Sequence, residues 1–167
     1  KLGFRVVLSD PSSHSMFQKG METISSDTVC YPAKLIHGHI ENLAEKGVKR
    51  IFYPCVPFER KEFDNTNNHY NCPIVTSYPE VIKNNMDVLH EQGIEFINFF
   101  VALDEPEFMP QKIMKEFGKY GITEHQAQEA AEAAYAALDA FKQDMRDQGE
   151  KTIKWLEETG NTGIVLA

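Results

Sequence analysis

The chain has 167 residues, 42% of them hydrophobic and 25% charged, with a formal net charge of -8: enough for one domain with a real core and too little for a second complete one. A pI near 5.2 and the lack of a basic stripe argue against nucleic acid as a partner, since neutralising phosphates takes clustered Lys and Arg. No apolar stretch approaches the ~20 residues of a membrane-crossing helix, and three cysteines, an odd number, do not make a secreted disulfide framework.

The chain therefore reads as soluble and cytoplasmic, with thiols that are free, ligating or redox-active. The charge is uneven: residues 1–103 carry 10 basic and 12 acidic side chains, residues 104–167 carry 7 and 13. The second part is mainly a solvated acidic surface.

In chain order, Phe4-Arg5-Val6-Val7-Leu8 reads as a short buried strand closed by Ser9-Asp10-Pro11, with a short helix from His14 to about Ile24 after it. Pro32, tolerated in a first turn where its missing N–H costs nothing, starts a second helix just after Cys30; it runs to about residue 46 with Leu35, Ile36, Ile40 and Leu43 on one face. Val48 to Pro54 is the next strand, followed by a polar excursion from Phe58 to Asn71 of a length that is often functional. Pro73-Ile-Val-Thr-Ser77 reads as a third strand, Pro79 as the start of a helix that restarts near Asn84, and Ile94 to Ala102 as a fourth strand.

Strands alternating with helices imply βαβ units. The expected architecture is an α/β fold, a parallel Rossmann-like sheet over residues 1–103, followed over 104–167 by an α-helical extension and a final strand. In that extension a helix from about Pro110 to Tyr120 is broken by Gly121, Thr123 and Gln126 have the spacing of a capping box, and a long helix runs to Gly160. Gly163-Ile-Val-Leu-Ala167 reads as the last strand. Without an initial methionine, and with a strand at each end, the chain reads as a piece excised from a longer protein.

The chemistry-bearing residues sit at the ends of these elements. Cys30 lies at a helix start, where the positive end of the dipole stabilises a thiolate, and Cys55 lies between Pro54 and Pro57, whose fixed backbones make a shaped loop. Cys72 opens the following segment. The spacings contain no C-x-x-C and match no zinc finger. Thiols on separate loops suit instead an iron–sulfur cluster assembled by tertiary structure, against the plain alternative of small buried hydrophobes. His69, close to Cys72, is the histidine to test as a fourth ligand. His37 and His39 read as helix-surface groups, with His37 able to pair with Glu41. Arg60 and Lys61 can offset cluster or substrate charge, and no phosphate-binding glycine loop or dinucleotide fingerprint is present.

The segments Ser26-Asp-Thr-Val-Cys-Tyr-Pro-Ala-Lys-Leu-Ile-His-Gly-His39, Ile51-Phe-Tyr-Pro-Cys-Val-Pro-Phe-Glu-Arg-Lys61 and Asn68-Asn-His-Tyr-Asn-Cys-Pro-Ile-Val-Thr-Ser-Tyr-Pro-Glu-Val81 resemble the uncharacterised domain of large proteins related to 2-hydroxyacyl-CoA dehydratase activases. More distantly, the chain is similar to the cluster-carrying subunits of the dehydratases themselves. There a [4Fe-4S] cluster takes an electron from an ATP-hydrolysing activator and passes it to a 2-hydroxyacyl-CoA for radical loss of water. The resemblance implies Cys30 with Lys34 at the helix start and Cys55 at the strand end as cluster-site residues; the third dehydratase ligand comes from a later domain, so Cys72 does not map onto it securely and is either a local substitute for it or structural. It implies an ATPase activator, fused or separate, and a CoA thioester as partners; a homodimer is a further expectation. The alternative is a non-catalytic interaction or scaffolding domain with reduced, structural cysteines.

Overall fold

The computed structural model describes residues 1–165. The elements run α1 (His14–Gly20), α2 (Tyr31–Glu45), β1 (Arg50–Phe52), α3 (Pro73–Asn85), α4 (Asp87–Glu91), β2 (Glu95–Ile97), α5 (Met109–Phe117) and α6 (Glu124–Thr159), with single 3-10 turns after α1 and on both sides of α5.

The parallel sheet is present but small. Among the described residues β1 pairs with β2 alone, in the register Arg50 to Glu95, Ile51 to Phe96 and Phe52 to Ile97. The expected βαβ unit is real at this point, since the crossover from β1 to its parallel neighbour passes through α3 and α4. Two strands do not make a Rossmann-like sheet, and among the described residues the molecule is a helix-rich α/β fold with a long C-terminal helix.

Two expected strands are corrected. Phe4–Leu8 has no ladder: Val6 and Leu8 are each 77% exposed, the Leu8 carbonyl accepts from Lys46 Nζ at 2.9 Å, and Asp10 N donates to Asn42 Oδ1 at 3.0 Å. The segment is held along α2 by side chains. Pro73–Ser77 is the first part of α3, not a strand. Pro73 occupies a first-turn position where its missing N–H costs nothing, and the Thr76 and Ser77 hydroxyls turn back onto the Cys72 and Pro73 carbonyls. Of the expected last strand, residues 163–165 show no regular structure and 166–167 lie outside the described residues.

The main core lies between α2, α3, α4 and one face of the sheet, where Ile40, Ala44, Ile51, Ile82, Met86 and Leu89 are buried together. α1 crosses α2 so closely that a Cβ at Gly38 would stand 1.8 Å from the Met16 carbonyl oxygen, and one at Gly20 would stand 2.2 Å from Gly38 N. Only glycine permits that backbone contact. A second cluster, Val101, Met109 and Ala131 with Phe99 and Tyr135 against it, packs α5 on the first turns of α6.

α6 begins with the expected capping box: Thr123 Oγ1 accepts from Gln126 N and the Gln126 side chain accepts from Thr123 N. It ends at Gly160, whose φ of +67° is the left-handed cap glycine favours. Only Ala127 and Ala131 of its 36 residues are buried. The loop between Phe58 and Tyr70 clasps its middle, with Arg60 on Asp139 and Glu62 on both Lys142 and Arg146.

Candidate functional site

The three cysteines sit at the ends of elements rather than within them. α2 and α3 both run against β1, so their N-termini lie at the end where β1 finishes. Cys30 is the N-cap of α2 and Cys72 the N-cap of α3; neither side chain makes a capping bond, and both residues are exposed. Cys55 continues the line of β1, its N–H donating to Phe99 O at 3.1 Å and its carbonyl accepting from Val101 N at 2.8 Å. Thr76 Oγ1 donates to Val56 O at 3.3 Å, which seats the first turn of α3 against the Cys55 loop.

The thiols differ in state. Cys55 has no exposed surface, and its Sγ donates to the Asn98 carbonyl at 3.4 Å. Burial, and then the Glu80 carboxylate, push its pKa up, with Lys83 acting weakly the other way. It is a protonated, sealed thiol. Cys30 and Cys72 face solvent at the positive ends of helix dipoles, which favour anions. Among the described residues, no group of three or more His, Cys, Asp or Glu side chains is arranged to hold a metal ion. Three segments thus offer thiol donors without enclosing a single ion.

His69 commits Nε2 to Asp104 Oδ2 at 2.9 Å, while its Nδ1 and Asp104 Oδ1 are buried without a partner. Lys34 Nζ donates to the Asp27 carbonyl at 2.6 Å, bridging the turn before Cys30. Arg60 is held by Asp139 at 2.6 Å and lies 5.7 Å from the Tyr135 ring centroid, so its charge is already spent, whereas Lys61 is exposed.

The residue that sequence reasoning misplaced is His37. It is not on the helix surface and does not pair with Glu41; it is fully buried between α1 and α3. Thr23 Oγ1 donates to the Gly20 carbonyl at 2.9 Å, so at 2.8 Å from His37 Nδ1 it accepts the ring N–H. That fixes the tautomer: Nε2 is bare and accepts from the Tyr78 hydroxyl at 2.9 Å. Burial keeps His37 neutral by lowering its pKa, consistent with this assignment.

Burial raises the Tyr78 pKa first and the charge of Cys30 raises it further; Tyr53, pushed up to about 12 by burial, also feels Tyr78 and Cys55. The only sequence signal for the network was the spacing of His37 seven residues, two helical turns, beyond Cys30 on the same face of α2.

A helix-rich α/β domain with two cysteines at helix N-caps and a third buried beyond the end of β1 is thus the class that fold and site define. Over residues 1–167 the chain matches the family described as the CoA enzyme activase uncharacterised domain, and it belongs to that family. No curated protein and no solved structure matches it.

Proposed function

We propose that this CoA enzyme activase domain is an iron–sulfur module that works with an ATP-hydrolysing activator on CoA thioesters, with Cys30, Cys55 and Cys72 as its thiolate ligands. The observation that supports the reading is that three separate segments carry cysteines near the end where β1 finishes, two of them as the exposed N-caps of α2 and α3. The donor set suits such a group in kind, because thiolates are the usual ligands of iron–sulfur clusters. When bound, a cluster supplies one-electron transfer.

The chain's own residues set the terms for holding it. Cys30 and Cys72 are accessible as they stand, while Cys55 would have to surrender its proton and its bond to Asn98. Lys61, which is exposed, would face an anionic substrate or cluster; Lys34 braces the loop that presents Cys30.

The sealed state of Cys55 favours a second reading, an interaction or scaffolding domain of the activase whose cysteines are reduced and structural. Anaerobic reconstitution with iron and sulfide separates the two. The cluster reading expects a brown protein whose visible absorption is lost in Cys30→Ala and in Cys72→Ala. A chain that stays colourless and folded under those conditions refutes it and leaves the interaction reading.

A further inference from the structure

The outer half of α6 carries an apolar seam with a seven-residue repeat. Leu138, Met145 and Thr152 hold one position of the repeat and Phe141, Gln148 and Trp155 the other, the spacing of the buried seam in a two-stranded coiled coil. One and two repeats earlier the same two positions hold Ala131 and Ala127, which are buried where α5 packs on the helix. The seam thus prolongs a packing face into solvent, where Phe141 is 61%, Met145 60% and Trp155 53% exposed. The Phe58–Tyr70 loop takes up Asp139, Lys142 and Arg146, to one side of it.

A second copy of the chain fits this seam. With two arms antiparallel and Met145 level with the partner's Gln148, Leu138 falls against the partner's Trp155 and Phe141 against the partner's Thr152, so each ring meets a smaller side chain rather than its own copy. The residues just before the seam are Asp144 and Lys151, both exposed and, among the described residues, in no ion pair. In that register Asp144 flanks the partner's Lys151 and Lys151 the partner's Asp144, a charge match made twice about the twofold axis. A parallel pairing would instead set Asp144 beside Gly149 and Lys151 beside Leu156, matching no charge.

Size and shape agree with this occupant. At roughly 150–250 Å² for a large apolar side chain, the exposed fractions of Phe141, Met145 and Trp155 offer about 350 Å² per chain. Counted over two chains, and with the stems of the flanking residues covered as well, the interface passes the about 1,000 Å² a specific one needs. The overlap from Leu138 to Trp155 is about 27 Å long. Ala131 of one chain then stands beyond the end of its partner's helix, and the two bodies lie at opposite ends without colliding.

We propose that the outer half of α6 is a self-association surface, on which two copies of this chain pair their arms antiparallel in a twofold, isologous dimer. It stands apart from the cluster reading and needs no metal.

The test is sedimentation of the full chain over a concentration series, with the emission of Trp155, the single tryptophan, as a second readout. The proposal expects a reversible dimer whose formation moves that emission to shorter wavelength. Lys151→Glu makes both flanking pairs repulsive without altering a packed residue, and should raise the dissociation constant about tenfold or more. Adding Asp144→Lys to it reverses both pairs and should bring the constant back towards the wild-type value. A chain that stays monomeric throughout overturns the proposal, and so does a dimer that Lys151→Glu leaves intact, that the double reversal fails to restore, or that forms with the Trp155 emission unmoved.

Discussion

Replacing Gly38 by Ala tests the α1–α2 crossing most directly. The added methyl would meet the Met16 carbonyl oxygen at 1.8 Å, and because that atom is backbone no rotamer change relieves the clash. α1 must lift by more than an ångström. Lifting exposes Met16, now 4% exposed, at a cost of up to about 2 kcal/mol. It also stretches the Thr23 contact that satisfies His37 Nδ1 inside the core, worth about 1–3 kcal/mol when a buried group loses its partner. Against this stands the gain of about 1 kcal/mol for Ala over Gly within a helix. The expected net loss is about 2–4 kcal/mol, read as a fall in the midpoint of urea unfolding followed by far-ultraviolet circular dichroism. Gly149→Ala is the matched control, since nothing lies within 4 Å of a Cβ there and it should stabilise by up to about 1 kcal/mol. A Gly38→Ala chain within 1 kcal/mol of wild type, alongside a well-behaved control, would refute the close-crossing argument.

Two further expectations concern protons and thiols. His37, ordinarily near 6.5, has its folded pKa lowered by burial, so the unfolded chain binds the proton first. Stability is thus complete above about pH 6.5 and falls as pH drops from there through the folded value; denaturation curves in His37→Asn should show a shallower acid limb, and a wild-type stability that is flat or rising over that range would contradict the assignment. Alkylation with iodoacetamide followed by peptide mapping should modify Cys30 and Cys72 in the native protein and Cys55 only after denaturation, because Cys55 has no exposed surface; native labelling of Cys55 at the rate of the other two would contradict its burial.

The helices were legible where caps and period agreed. Pro32 behind Cys30, the Thr123–Gln126 box and the terminators Gly121 and Gly160 all act as their chemistry dictates. The failures came from short apolar runs, which carry no period of their own. Ile74-Val75-Thr76 has strand composition, but Ile74, Tyr78, Val81 and Ile82 fall on one helical face and pack into the main core, so burial overrode propensity. Phe4–Leu8 has the composition of an inner strand, yet the bonds that tether it, from Lys46 to the Leu8 carbonyl and from the Asp10 N–H just beyond it to Asn42, are long-range and leave no trace in local sequence.

At the site, the position of Cys30 at a helix start followed from Pro32, whereas that of Cys72 did not, since the apolar run Pro73–Ser77 reads locally as a strand and proves to be the first part of α3. The burial of Cys55 and His37 did not follow either, because each depends on a partner more than 40 positions away, Asn98 in one case and Tyr78 in the other.

The outer turns of α6 have a consequence for motion. Beyond the Glu62 clasp at Lys142 and Arg146 the helix continues to Thr159 without a buried residue, and isolated helical turns are marginal in water. Backbone order should therefore grade along its length, tight near Ala127 and Ala131 and fraying on fast timescales toward Trp155. The far half of the rod would take its stiffness from whatever surface it lies against.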